Sequence, residues 1–114
     1  MKQVLLDTNF IITCVNQKID FFQEIPLMGI KIIIPEEVIS ELKNLKKTFE
    51  LKLLENEGEK FKKISLDGKN VDNAIINFAR KNPDIIIATL DQEVRKKIKS
   101  KKMGIRNRKK LEIV

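Results

Sequence analysis

Short apolar runs alternate along the chain with longer stretches in which apolar residues recur every three or four positions. The runs predict buried strands at residues 4–6, 31–34 and 85–88, a weaker strand candidate at 61–66, and a last strand near 111–114. The stretches between them predict helices at residues 9–15, in the turns before Pro26, after Pro35, at 46–60, at about 70–81 and after Asp91. Strands that alternate with helices favour an α/β fold with a mainly parallel central sheet. The length of 114 residues predicts one domain over residues 1–114.

Two of the apolar runs end in an aspartate. Residues 4–10 read VLLDTNF and residues 85–91 read IIIATLD, which places Asp7 and Asp91 at the carboxyl ends of two predicted strands. In open parallel sheets, ligands bind outside the carboxyl ends where the strand order reverses. If the two strands are neighbours, Asp7 and Asp91 face one another there. Helix capping is the alternative: Asp7 would cap a helix beginning near Asn9, and Asp91 would lie in the first turn of a helix capped by Thr89.

Two further acids follow the other predicted strands. Glu41 lies at the margin of the buried stripe of the helix after Pro35, and Asp72 lies in the first turn of the helix that begins around Asn70. A solvated helix face would also explain Glu41, and favourable interaction with the helix dipole would also explain Asp72. Four carboxylates that converge would repel one another unless a divalent cation lay between them. Oxygen ligands suit Mg²⁺ or Mn²⁺ better than zinc.

Composition limits the chemistry that remains. The chain has no histidine, which excludes His-based acid–base catalysis and His metal ligands, and its single cysteine permits no internal disulfide. Cys14 lies in an apolar stretch, so we interpret it as part of the core and as compatible with a reducing cytoplasm. No apolar run approaches the length of about 20 residues that spans a bilayer, and the start of the chain is not that of a signal peptide.

Positive charge is concentrated near the end of the chain. Residues 92–114 hold 10 Lys or Arg against two acids, whereas the chain as a whole has a net charge of +7. Such a segment favours a polyanionic partner, nucleic acid before membrane, although a solvated lysine-rich helix and tail would have the same composition. We therefore hypothesise that this segment contacts a nucleic-acid backbone through Arg95, Lys96, Lys99, Lys102, Arg106, Arg108, Lys109 and Lys110.

Taken in order, VLLDTNF, VISEL, VDNAI and IIIATLDQEV resemble the motifs of PIN-domain nucleases over nearly the whole chain. The resemblance implies a three-layer α/β/α fold, cleavage of single-stranded RNA that leaves a 3′-hydroxyl, and frequent homodimers. It implies that Asp7, Glu41, Asp72 and Asp91 are catalytic and hold one or two Mg²⁺ or Mn²⁺ ions. Thr8, Asn9 and Thr89 would orient Asp7 and Asp91 through hydrogen bonds.

One position departs from the family pattern. Some relatives carry a second acid directly after the third one, and here that place is Asn73, which puts a fifth ligand in doubt. The segment 46–66 matches no motif, and we assign it no function.

Other folds with acids at strand ends fit less well. A response-regulator receiver needs an acid pair after its first strand, and a haloacid-dehalogenase-type phosphatase needs an Asp where this chain has Asn9. Within the PIN family two roles stay open: a VapC-type toxin neutralised by an antitoxin protein, or a nuclease of ribosomal RNA processing that acts on a pre-ribosome. Ribosomal, transfer and messenger RNA are all candidate substrates. The alternative to an enzyme is a catalytically silent PIN-like module that binds RNA in ribosome assembly.

Overall fold

The computed structural model describes residues 1–114 and contains six strands and six α-helices. The strands are β1 (Lys2–Leu6), β2 (Ile30–Pro35), β3 (Phe61–Ile64), β4 (Ile86–Ala88), β5 (Lys102–Arg106) and β6 (Lys110–Ile113). The helices are α1 (Thr8–Asn16), α2 (Phe21–Leu27), α3 (Glu36–Asn44), α4 (Thr48–Asn56), α5 (Val71–Lys81) and α6 (Gln92–Lys97), with a single 3₁₀ turn at Gly58–Lys60.

All six strands form one sheet in the order β3-β2-β1-β4-β5-β6. The first five are parallel, and only β6 runs antiparallel, against β5. The chain builds outward from β1 through β2 to β3, then returns to the other side of β1 with β4. The strand order therefore reverses between β1 and β4, which pair with Leu6 opposite Ala88. A parallel α/β fold binds ligands at such a point.

Helices cover both faces of the sheet. One face packs alternate strand residues such as Val4, Leu6 and Ile34 against Phe10 and Leu42 of the helices in the first half of the chain. The residues between them, including Leu5 and Ile87, pack on the other face against α5 and α6. This alternation follows from the two-residue period of a strand, and it makes β1 hydrophobic on both sides. The predicted three-layer architecture with a mainly parallel sheet is confirmed.

The C-terminal segment differs from its prediction. The helix after Asp91 ends at Lys97, and Ile98, although buried as expected, is in extended conformation. The sequence prediction had no strand at Lys102–Arg106, yet these residues form β5 beside β4. Two of these residues, Met103 and Ile105, have apolar side chains, and Met103 is fully buried.

Smaller differences concern element ends. The helix predicted over residues 46–60 is limited to Thr48–Asn56, and the third strand ends at Ile64 rather than residue 66. Pro26 lies inside the last turn of α2, which ends one residue later. No helix is long and apolar enough to cross a membrane.

Candidate active site

The four acids singled out in the sequence follow the carboxyl ends of four neighbouring parallel strands. Asp7 comes directly after β1, and Asp91 comes three residues after β4. Glu41 is on α3, which begins where β2 ends, and Asp72 is at the second position of α5, which follows β3. The structure thus brings the four carboxylates to the end of the sheet at which the parallel strands terminate, around the point where the strand order reverses. We call this end of the sheet the carboxyl edge and the opposite end the amino edge.

Asp7 is held in place on both sides. Its backbone N–H donates to the carbonyl of Ala88 (2.9 Å), so it continues the β1–β4 ladder by one position. Its Oδ1 accepts a hydrogen bond from the Thr8 N–H (2.7 Å), and its Oδ2 accepts one from the Thr89 hydroxyl (2.8 Å). Asp7 and Thr89 are buried, with Asp7 only 3% exposed. A carboxylate has about four acceptor positions, so these two bonds leave capacity for a ligand.

Thr89 connects the two aspartates. While its hydroxyl donates to Asp7, the same oxygen accepts a hydrogen bond from the Asp91 N–H (3.2 Å). Asp91 is itself the N-cap of α6, since its Oδ1 accepts from the N–H groups of Glu93 (2.9 Å) and Val94 (3.5 Å). The alternative in which Thr89 caps this helix is wrong in that detail, because the cap is Asp91. Capping occupies one oxygen of Asp91, so it does not exclude a second role for the other.

The carboxylates interact electrostatically. Burial, together with the negative charges of Asp72 and Glu41, raises the pKa of Asp7 to about 6, although hydrogen bonds from Thr89 and Thr8 oppose the shift. Burial and the charges of Asp91 and Glu41 raise the pKa of Asp72 as well. Each of the four acids therefore takes part in at least one repulsive interaction with another.

The raised pKa of the buried Asp7 predicts a pH dependence of stability in the metal-free protein. The folded state holds the Asp7 proton more tightly than the unfolded chain does, so stability falls as the pH rises from about 4 to about 6, and the full penalty persists above that range. The penalty amounts to at most about 3 kcal/mol. Asp7→Asn should remove it, so urea unfolding in EDTA should give a difference between the two proteins that grows from pH 4 to pH 7. A constant difference would contradict the burial of an ionised Asp7.

Glu37, a residue that sequence reasoning missed, tethers the segment that leads to Asp72. Its carboxylate accepts hydrogen bonds from the N–H groups of Leu66 (3.0 and 3.1 Å) and Asp67 (3.1 Å) and from the Ser65 hydroxyl (3.3 Å). These bonds lower the pKa of Glu37 although burial opposes them. Because Glu37 is one turn before Glu41 on α3, the tether fixes the β3–α5 loop relative to the helix that carries Glu41.

Thr8 and Asn9 differ in their surroundings. The Thr8 hydroxyl is buried beside Asp7 and makes no hydrogen bond within the protein, so it retains a donor for a ligand. Asn9 is exposed, at the second position of α1. The four acids offer only oxygen ligands, and this chemistry fits a hard divalent cation. No group of three or more acidic side chains is arranged to hold one ion as the side chains stand, so a cation would have to draw them together.

The largest cavity of the molecule, about 690 Å³, contains none of the four acids. It lies between α2 and the starts of β2 and β3, with Phe22 and Phe61 in its wall. A second, polar hollow of about 480 Å³ adjoins the acids: Glu41 lines it together with Ser40, Asn44 and Asn70. Because catalysis in a chain without histidine needs the carboxylates, we place the functional site at the carboxyl edge, which the four acids make acidic.

The basic residues are on three successive elements. Arg95 and Lys96 are on α6 and Lys99 follows it, Lys102 and Arg106 begin and end β5, and Arg108, Lys109 and Lys110 belong to the β5–β6 hairpin. Arg95 is only partly exposed, and its guanidinium donates to the Thr89 carbonyl (2.8 Å), which braces the turn between β4 and α6.

A family model described as a PIN like domain matches residues 4–110. The chain belongs to the PIN-like domain family. The ribonuclease VapC4 of Methanocaldococcus jannaschii is 30% identical to it over an alignment 127 residues long, gaps included. The alignment covers 99% of this chain and 97% of that protein. The solved structure of the PIN domain endonuclease Utp24 matches with a TM-score of 0.82 and 25% identity, over 97% of this chain and 90% of the other. The resemblance to PIN-domain nucleases is thereby confirmed.

Proposed function

We propose that this PIN-like domain is a metal-dependent endoribonuclease that hydrolyses phosphodiester bonds in single-stranded RNA. The observation that carries the proposal is the placement of Asp7, Glu41, Asp72 and Asp91 at the carboxyl ends of neighbouring strands, where burial and the charges of the neighbouring acids raise the pKa values of Asp7 and Asp72. The two relatives support it, since one is named a ribonuclease and the other an endonuclease.

In this proposal the four acids hold one or two Mg²⁺ or Mn²⁺ ions. Such an ion would polarise a phosphoryl oxygen and lower the pKa of an attacking water, which a site without histidine needs. Thr89 favours the ionised form of Asp7 by donating a hydrogen bond to it, and holds Asp91 alongside by accepting one from the Asp91 N–H. The buried Thr8 hydroxyl offers a further donor beside Asp7, and Asn9 would contribute from the exposed side of α1.

Cleavage of a labelled single strand tests the proposal. With Mg²⁺ or Mn²⁺, the protein should cut a single-stranded RNA internally, leave a perfect duplex of the same sequence intact, and yield products that poly(A) polymerase extends because they end in a 3′-hydroxyl. Products that end in a 2′,3′-cyclic phosphate would contradict hydrolysis by water, since they arise from attack by the neighbouring 2′-hydroxyl.

The biological role has two candidates. One is a toxin paired with an antitoxin protein, and the other is ribosomal RNA processing on a pre-ribosome. A small antitoxin-like reading frame beside this gene would decide for the toxin. Buried, unpaired Cys14 supports placing either activity in a reducing cytoplasm, and a homodimer is part of the proposal through the family resemblance. A silent module that only binds RNA would bind the same single strand without cutting it.

A further inference from the structure

Some basic residues of the C-terminal segment lie at the carboxyl edge of the sheet, and others lie at the amino edge. Helix α6, whose N-cap is Asp91, begins on the carboxyl edge. The chain then returns toward the amino edge, where the Lys101 carbonyl accepts a hydrogen bond from the Ile87 N–H (3.0 Å). Lys99 therefore lies at the end away from the acids. Lys102, paired in register with Ile87, begins β5 on the same side.

The β5–β6 hairpin extends in the opposite direction. Met103 is in register with Ala88, the last residue of β4, and β5 continues for three more residues to Arg106. At about 3.3 Å per residue, the hairpin turn lies about 10 Å beyond the end of β4. Residues 106–110, which we name the basic tip, thus project past the carboxyl edge. Strand β5 is two strands from β1, or about 10 Å.

Three charges of the basic tip have no partner. Arg106 pairs with Glu112 (3.7 Å), whereas Arg108, Lys109 and Lys110 are exposed and form no salt bridge. Elsewhere in the segment, the Lys102 ammonium donates to the Ser100 carbonyl (2.9 Å). Free cations beside an acidic edge are the charges that a polyanion would use.

The backbone of the tip is strained and fixed. The Lys109 N–H donates to the Arg106 carbonyl (3.2 Å), which closes the turn. Asn107 and Arg108 both have left-handed backbone angles, with φ of 53° and 60°. Asn tolerates this region, but Arg rarely occupies it and a residue held there costs of order 1–3 kcal/mol.

We propose that the basic tip is the principal contact for the phosphate backbone of the substrate, and that the RNA strand leaves the acidic edge across β4 toward the tip rather than along α6. This inference rests on the proposed function. Substrate phosphates approaching four carboxylates are repelled, and the unpaired cations of the tip stand on the same edge to offset that repulsion. RNA fits these charges better than an acidic protein partner does. The tip and the acids lie along the same end of the sheet, so one RNA strand could contact both.

The test compares two variants that each lose three positive charges, both made in the Asp7→Asn protein so that bound RNA is not cut. The tip variant carries Arg108→Asn, Lys109→Gln and Lys110→Gln, in which Asn suits the left-handed backbone. The matched α6 variant carries Lys96→Gln, Lys97→Gln and Lys99→Gln, all at exposed positions. A third variant, Arg108→Lys with Lys109→Arg and Lys110→Arg, keeps the charge. Fluorescence anisotropy of a labelled single-stranded RNA across a salt series gives affinity and salt slope.

The tip variant should bind about tenfold more weakly or worse, for every sequence alike, with the salt slope reduced by about two at roughly 0.7 per phosphate contact. The α6 variant should lose far less, and the charge-conserving variant should bind as its parent does. Equal losses in the tip and α6 variants, or an unchanged salt slope in the tip variant, would overturn the proposal. RNA binding that depends on the tip in a protein that never cleaves RNA would overturn the proposed chemistry and leave the tip contact standing.

Discussion

Replacing Asp7 or Asp91 with Asn should lower single-turnover RNA cleavage at least about a hundredfold, the loss typical of removing one preorganised polar group from an active site. The side chain keeps its size and loses the charge that would bind a cation. Because the acids would act as one unit, the double variant should be little worse than either single variant. In metal-free buffer, Asp7→Asn should be at least as stable as the natural protein, since a buried carboxylate beside other acids has been neutralised.

Asp84→Asn is the matched control for this experiment. Asp84 is exposed and lies between α5 and β4, at the end of the sheet opposite the four acids. It should cleave RNA at the normal rate. Asn is as good an N-cap as Asp, so normal cleavage by Asp91→Asn would mean that Asp91 serves only as the cap of α6.

The sequence was sufficient to place Asp7 and Asp91 because β1 and β4 are among its most apolar segments. A strand buried on both faces must be central, and the polar residues that follow its apolar run must lie where the strand ends. The hydrogen bond from Thr89 to Asp7 joins two residues that the family motifs had already identified as candidates for the functional site.

Strand β5 could not be predicted because its burial depends on tertiary context. Residues 102–106 read KMGIR, and within a run of lysines and arginines two apolar side chains are a weak signal. Met103 is buried because β5 pairs with the free side of β4, and there its side chain packs in the core against the helices on one face of the sheet. This strand matters for the proposed RNA contact, because β5 directs the basic segment back toward the four acids.

Glu37 was missed for a different reason. It is next to Glu36 in the first turn of α3, where an acid is explained by the helix dipole alone. Its partners are backbone N–H groups at Leu66 and Asp67, about 30 positions later. Backbone donors leave no trace in a sequence pattern, so only the folded chain shows this tether.

The second large effect expected is the loss of cleavage on chelation. With EDTA the four acids repel one another without compensation, and the chain has no histidine that could replace a cation in acid–base catalysis. Cleavage should fall to background in EDTA and return when Mg²⁺ or Mn²⁺ is added in excess. Cleavage that survives thorough chelation would rule out the proposed mechanism.

Calorimetric titration of Mn²⁺ into the metal-free protein tests most directly whether the four acids form a cation site. The natural protein and Asp84→Asn should bind Mn²⁺ with the same affinity, and Asp7→Asn should bind far more weakly. Because the pKa of Asp7 is about 6, binding at pH 6 should also release protons, which makes the measured heat depend on the buffer. Mn²⁺ binding that is unchanged in Asp7→Asn, or absent from the natural protein, would contradict a metal centre built on these carboxylates.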